Sequence, residues 1–185
     1  MKQIKVRMTL LSDTIFGSGQ SIPGGEDIAV LTDQDGFPYF SASAFKGILR
    51  EAAENVLAWH DGKSERAVSI FGSEWQEGSV HLTDLTLPEK VRAITWMELE
   101  DADAVTVALT DLRTFTQLDE DGSVKEGSLR TARCVIRGLY FEGQLSCAEE
   151  DAALLEEALT SIRWIGTMRN RGFGEVQFTY QEVAE

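Results

Sequence analysis

The sequence predicts an α+β sandwich of the ferredoxin-like type, the architecture shared with RNA-recognition motifs. Apolar and polar residues alternate over residues 2–12 and again over residues 174–183, as in strands with one buried face. Residues 42–59 and 147–162 each carry an apolar stripe with helical spacing. With shorter strands between the helices, the order is strand–helix–strand–strand–helix–strand. This order indicates a fold but no function, because many activities share it.

The N-terminal half predicts a strand, a long loop and a helix. Ile4, Val6 and Met8 form the apolar side of the strand over residues 2–12. Residues 13–40 are rich in Gly, Ser and Asp and predict a loop, whose length is typical of functional or disordered segments. The helix over residues 42–59 follows, and Ser41 or Ser43 can cap it.

The C-terminal half predicts mostly strands around a second helix. Ser146 and Glu149 have capping-box spacing before the helix over 147–162. The predicted strands are 78–86, one or two within 91–109, a β-hairpin over 112–133 with the polar turn DEDG, 134–145 interrupted by Gly138, and 174–183.

Composition limits the function classes. The 185 residues fit one domain over 1–185, and the hairpin is an insertion at about 110–133. No apolar run is long enough to span a membrane, and the N-terminus lacks signal-peptide features. Cys134 and Cys147 lack metal-type spacing, so a reducing cytoplasm is the simplest location. With two histidines in the chain, a histidine-built metal site is not expected.

The net charge of −14 argues against simple nucleic-acid binding. A basic groove would therefore have to be local and completed by partner subunits.

The segment IGTMRNRGFGEV predicts an anion site. Gly166, Gly172 and Gly174 let the backbone approach a phosphate chain closely and direct N–H groups at it. Arg169 and Arg171 add donors that match phosphate geometry. The alternative is a plain helix-to-strand connection with a glycine C-cap at Gly166, which explains one glycine only.

The start of the first helix predicts a second phosphate contact. Its N-terminus near Ser43 can hold an anion on free N–H groups. Lys46 and Arg50 are four residues apart, so they share a helix face, and Gly47 leaves room for a ligand. The alternative is a solvated helix face.

Asp27 is the candidate catalytic acid. On a glycine-flexed loop beside a phosphate channel, its carboxylate could hold a divalent cation that promotes attack by a ribose 2′-hydroxyl. The alternative is a solvated loop acid, which explains Asp33 and Asp35 better because DQDG is turn chemistry.

Several motifs in order resemble the RAMP superfamily of CRISPR systems. GTMRNRGFGEV is similar to that family's glycine-rich loop, and DGFPYFSASAFKGILREAAE to its segment opening the first helix. Phe71-Gly72 and VHLTDLTLP fall where family members carry similar pieces. TFTQLDEDGSVKEGSLRTARCVIRGLYFEGQL is similar to the thumb hairpin of type III backbone-type subunits, of subtypes III-A and III-D.

The resemblance implies a modified RNA-recognition fold, with a protruding thumb, that packs along a CRISPR guide RNA in a type III effector complex. Implied partners are the guide RNA, target RNA, other RAMP subunits and the large subunit, in antiviral defence. Asp27, in D-I-A-V-L-T-D-x-x-G-x-P, matches the aspartate that cuts target RNA with a divalent metal, Mg²⁺ or Mn²⁺. Lys46, Arg50, Arg169 and Arg171 would contact the guide backbone.

Departures from the family pattern keep a second hypothesis open. Phe16 stands where many backbone subunits carry histidine, and the turn before Lys46 lacks its usual glycine. The chain is thus expected to be either a guide-bound endoribonuclease subunit or a non-catalytic scaffold that caps the filament or holds the 5′ handle, with no cofactor. A stand-alone guide-processing RNase is less favoured because neither His60 nor His81 is near the glycine-rich loop in sequence.

The hairpin arginines also have two interpretations. Arg130 and Arg133 could reach RNA, or they could pair with Asp111 and Asp119 across the hairpin.

Overall fold

An antiparallel sheet forms the centre of the fold, in a computed structural model that describes residues 1–17, 26–60, 65–116, 122 and 128–182. The strands are β1 Lys2–Leu10, β2 Tyr39–Phe40, β3 His81–Leu82, β4 Leu85–Thr86, β5 Thr110–Phe115, β6 Arg130–Val135, β7 Tyr140–Cys147 and β8 Val176–Glu182. The helices are α1 Ala42–His60, α2 Glu65–Phe71, α3 Glu89–Leu99, α4 Ala102–Leu109 and α5 Glu149–Ser161, with a 3-10 turn at Arg169–Arg171.

β1 lies between β7 and β8, and the main sheet runs in the order β2–β4–β7–β1–β8, with β3 also paired to β7. Alternation places Ile4, Val6 and Met8 on the inner face of β1, where all three are fully buried. Helices α1 and α5 cover this face, and Phe45 of α1 stacks on Phe178 of β8 with ring centroids 5.7 Å apart. The predicted α+β sandwich is confirmed, and β4, β7, β1 and β8 lie side by side in its sheet in that order.

The strands predicted within residues 91–109 are wrong, because α3 and α4 occupy this segment. Asp101 caps α4 by accepting the Ala104 N–H at 2.7 Å, and Glu100 turns the chain between the helices with a φ of 48°. α3 buries none of its side chains and so carries no clear apolar stripe that would identify it as a helix.

Two further boundaries differ from the prediction. Residues 134–145 are not one interrupted strand: β6 ends, the chain turns through Gly138 at a φ of 88°, and β7 begins. The capping box is also wrong, because Ser146 belongs to β7 and its hydroxyl donates to the Gln3 side chain at 2.8 Å. Ala148 precedes α5 and offers no side-chain cap.

The predicted loop and hairpin are present within the described residues. The loop after β1 is held by isolated bridges, including Thr14 to Val135 and Ile28 to Ala132. Asp33 forms the predicted turn, accepting the N–H groups of Asp35 and Phe37 at 3.0 and 3.1 Å. β5 and β6 form the hairpin, while Asp119 to Asp121 of its turn lie outside the described residues.

No helix among the described residues combines the length and apolar character needed to cross a membrane.

Candidate nucleic-acid interface

A second, small hydrophobic cluster joins the loop after β1, the β5–β6 hairpin and the glycine-rich loop. These three segments carry most of the predicted site residues. Ile15, Ala132 and Cys134 are fully buried at its centre. Phe115 of the hairpin and Phe173 of the glycine-rich loop pack against this cluster. Their two rings meet edge to face, with centroids 5.5 Å apart. Burial raises the pKa of the Cys134 thiol to about 12, so this cysteine stays protonated and acts as an apolar group.

The glycine-rich loop, residues 165–175, uses two of its glycines for packing within the protein. α5 ends at Ser161, so the alternative that Gly166 is its C-cap is wrong. Gly166 has a φ of 71°, and a Cβ there would lie 2.5 Å from the Ile15 carbonyl oxygen. A Cβ on Gly174, whose φ is 83°, would collide with the Ile165 carbonyl. The RNA contacts predicted for Gly166 and Gly174 stay predictions. The fold itself requires glycine at both positions, because each has a left-handed backbone and no room for a Cβ.

Gly172 differs from the other two glycines of this loop. Its φ is 84°, but a Cβ would meet nothing within 4 Å, and the residue is exposed. Of the three glycines, Gly172 thus leaves open space for a ligand.

Arg169 and Arg171 are both exposed on the 3-10 turn between Met168 and Gly172, which both have left-handed backbone conformations. The Arg171 guanidinium lies over the Phe115 ring, 5.6 Å from its centroid. Neither arginine has a carboxylate partner among the described residues, so both remain available to bind an external anion.

Arg50, the second of the predicted cations on α1, is already engaged within the protein. The Arg50 guanidinium pairs with Glu54 at 2.8 Å and donates to the Gly72 carbonyl at 3.3 Å. Arg169 instead shares a cleft with residues on another flank of α1, among them Glu51 and Asn55. Of the predicted cations, Arg169 thus lies beside the Glu51–Asn55 flank of α1, while Arg50 is held by Glu54 and Gly72.

The N-terminus of α1 already holds a carboxylate of the chain. The Asp84 side chain accepts the Ala42 N–H at 2.7 Å, and the Ser41 hydroxyl accepts the Ala44 N–H at 3.3 Å. Ser41 is thus the capping residue of the two predicted candidates. Ser43 is exposed, with its hydroxyl 3.2 Å from that of Ser41. A phosphate at this helix end would have to share it with Asp84.

Asp27 lies against the base of the hairpin. The Thr131 N–H donates to Oδ2 at 2.7 Å, and the Arg130 guanidinium donates to Oδ1 at 3.2 Å. These bonds, the first above all, lower the pKa of the Asp27 carboxyl below its usual value, so it is ionised at neutral pH. The side chain is 37% exposed, which leaves part of the carboxylate open to solvent.

Glu26 and Arg133 form a more buried pair beside Asp27. Arg133 Nε donates to Glu26 Oε1 at 2.6 Å, and its Nη1 donates to the Thr110 hydroxyl at 3.2 Å. The predicted pairing with Asp111 is wrong, because Arg113 holds that carboxylate at 3.0 Å. Asp119 lies outside the described residues. Arg133 is thus a structural residue of the loop–hairpin junction, and any RNA contact by it stays a prediction.

The described residues do not form a divalent-metal site by themselves. No group of three or more His, Cys, Asp or Glu side chains converges among them. Asp27 offers one carboxylate whose two oxygens already accept hydrogen bonds, and the carboxylate of Glu26 is taken by Arg133. A Mg²⁺ ion at Asp27 would need most of its ligands from substrate phosphates and water.

Sequence reasoning missed Arg113 and Arg137, which line one cleft with Arg171. The cleft also contains Asp13, which is 100 positions from Arg113 and 124 from Arg137 in sequence, so no local spacing could have indicated it.

The sequence profile of the RAMP superfamily matches residues 7–177, most of the chain. This protein belongs to the RAMP superfamily. The predicted family is therefore confirmed. Phe16, which stands where many family members were expected to carry histidine, is buried and packs against Phe40 and Phe141 with centroids 5.4 and 5.3 Å apart.

Solved structures of type III-B complexes contain chains with a similar fold. A chain of the Cmr-beta complex bound to cognate target RNA matches with a TM-score of 0.72 and 18% identity, over 98% of this chain and 60% of that one. This RAMP protein thus spans about three fifths of that chain's length. A chain of the apo Cmr-beta complex matches with a TM-score of 0.70 and 14% identity, over 96% of both chains. Among curated proteins, a sequence search finds no match.

Proposed function

We propose that this RAMP protein is a guide-RNA-binding subunit of a type III CRISPR effector complex. The observation that carries the proposal is the pair of exposed arginines, Arg169 and Arg171, on a glycine-rich loop and without carboxylate partners in the described part of the chain. The fold it shares with chains of Cmr-beta complexes supports the same role.

The charge distribution suits a binder that works within an assembly. A net charge of −14 repels free polyanions, while a local cluster of guanidinium groups still attracts phosphates at short range. Neighbouring subunits would supply the remaining positive surface, and their contacts would also set the position of the RNA.

The test is co-purification of RNA with the protein and its co-expressed neighbouring subunits. We expect short RNA of uniform length to accompany the wild-type complex and to fall in the Arg169→Ala/Arg171→Ala double variant. Lys90→Ala removes an exposed charge from α3 and serves as the matched control. A complex that assembles fully but carries no RNA would contradict the proposal.

A second candidate function is metal-dependent cleavage of target RNA by Asp27. It is favoured by an ionised, partly exposed carboxylate at the junction of the loop and the hairpin. The competing role for Asp27 is structural, because its carboxylate accepts hydrogen bonds from Thr131 and Arg130.

Asp27→Asn in the assembled complex separates these roles, because asparagine retains an oxygen that can accept the Thr131 N–H. Loss of Mg²⁺- or Mn²⁺-dependent cleavage with unchanged guide binding supports catalysis. Asp35→Asn makes the same substitution in a turn of the same loop and should leave cleavage unchanged. If Asp27→Asn leaves cleavage unchanged, Asp27 is not the catalytic acid. The function is then that of a non-catalytic scaffold, which caps the filament or holds the 5′ handle of the guide.

A further inference from the structure

Three arginines from separate segments of the chain line one open cleft. Arg113 belongs to β5, Arg137 to the turn between β6 and β7, and Arg171 to the glycine-rich loop. The cleft has a volume of about 460 Å³. Its lining includes Ser12, Asp13, Arg113, Arg137, Arg171 and Phe173.

Asp13 organises this cleft. Its Oδ2 accepts a hydrogen bond from Arg113 Nη2 at 2.7 Å, and its Oδ1 accepts one from the Arg137 backbone N–H at 3.1 Å. Its carbonyl oxygen accepts the Gly174 N–H at 2.9 Å. One largely buried residue therefore ties the hairpin, the β6–β7 turn and the glycine-rich loop together, and both of its carboxylate oxygens are already engaged.

The cleft is positively charged within an acidic protein. Three guanidinium groups and one carboxylate line it, and Asp111 pairs with Arg113 from outside the lining at 3.0 Å. Even with Asp111 counted, positive charge exceeds negative charge. The side chains of Arg137 and Arg171 line the cleft, are exposed and have no carboxylate partner among the described residues, so their donors are available to a ligand.

We infer that this cleft binds a phosphodiester group of RNA, with Arg137 and Arg171 as its ligands. Arg113, held by Asp13, adds positive potential without leaving its own ion pair. Stacking on Phe115 keeps the Arg171 guanidinium above the cluster that supports the cleft. This site rests on the proposed function and extends it, because it adds the β6–β7 turn to the RNA-contacting surface.

The test uses the protein assembled with its co-expressed neighbouring subunits, a single-stranded RNA oligomer and a series of salt concentrations. One phosphate contact to single-stranded RNA contributes about 0.7 to the slope of log K against log salt. We expect Arg137→Ala to lower affinity for all sequences alike and to reduce that slope by about 0.7, with partial recovery in Arg137→Lys. The Arg137 side chain makes no ion pair among the described residues, so the fold should be retained, as circular dichroism would verify. Lys90→Ala is the control and should change neither quantity.

The outcomes distinguish this site from the proposed function. If Arg169→Ala weakens RNA binding while Arg137→Ala leaves affinity and slope unchanged, the cleft assignment is overturned and the proposed function stands. If the wild-type chain binds no RNA, alone or with its neighbours, both fail.

Inorganic phosphate is titrated in parallel at constant ionic strength. If Arg137→Ala abolishes phosphate binding but not RNA binding, the cleft is a site for free phosphate and the RNA assignment is overturned. If Arg137→Ala weakens RNA binding and lowers the salt slope, the assignment to an RNA phosphodiester is supported.

Discussion

Asp27 and Arg130 form an ion pair with 3.2 Å between Oδ1 and Nη1, although 103 positions separate them in sequence. The pair fastens the loop after β1 to the first residue of β6. It also places the candidate catalytic acid beside a cation that a bound phosphate would compete for. The acid and the hairpin arginine are therefore coupled, and variants of either residue should be interpreted with both in mind.

Asp27→Asn should destabilise the protein in a pH-dependent way. Folding lowers the pKa of this carboxyl, so its contribution is present above the unfolded-state pKa of about 3.9 and is lost as pH falls through the folded-state pKa. We expect wild type and variant to differ in unfolding free energy at pH 7 and to converge in acid. Urea unfolding at several pH values measures this, and a difference that is independent of pH would contradict it.

Glycines of the glycine-rich loop should differ in their tolerance of alanine. Gly166→Ala combines a left-handed backbone with a clash against the Ile15 carbonyl, so we expect a loss of about 2–4 kcal/mol. Gly172→Ala meets no neighbour and should cost about 1–2 kcal/mol from its backbone conformation alone. Gly47→Ala, in the exposed interior of α1, should stabilise by about 1 kcal/mol. Thermal and urea unfolding rank the three variants, and equal losses at Gly166 and Gly172 would contradict the packing argument.

Arg133→Met should destabilise the protein by about 2–3 kcal/mol, because it leaves the largely buried Glu26 carboxylate without its partner. Adding Glu26→Gln should recover part of that loss, since the unpaired charge is then removed. A double-mutant cycle in urea measures the coupling. Additive losses would mean that the two side chains do not stabilise the junction as a pair.

Arg169→Ala and Arg171→Ala should each weaken RNA binding with little dependence on base sequence. Each should reduce the magnitude of the salt slope by about 0.7, because a phosphate contact to a single strand is lost. Filter binding of two unrelated oligomers over a salt series tests this. A loss confined to one sequence would indicate base recognition instead.

The elements predictable from sequence are those whose burial follows a clear period. Ile4, Val6 and Met8 alternate because β1 has one buried face, and the stripe of α1 includes Phe45 and Leu49 for the same reason. α3 carries no such signal, because it lies on the surface without a buried side chain.

The candidate site was only partly predictable. Arg169, Arg171 and Asp27 stand out locally by composition, so sequence reasoning could select them. Their surroundings depend on contacts between segments far apart in the chain, and those contacts determine that Asp27 meets Arg130. The contacts of Asp84 with the start of α1 and of Asp13 with Arg113 were likewise unpredictable. In each case the partner is far away in sequence, and no local pattern indicates it.

The small cluster around Ile15, Ala132 and Cys134 has a consequence for synthesis of the protein. The cluster and the residues packed against it extend from Ile15 to Phe173, so the cluster is incomplete until Phe173 has left the ribosome. Until then Phe115 lacks its aromatic neighbour, and the Asp13 carbonyl lacks the N–H of Gly174. β1, α1 and β7 are synthesised earlier, but the surface formed by the hairpin and the glycine-rich loop is completed only after Phe173 and Gly174 have left the ribosome.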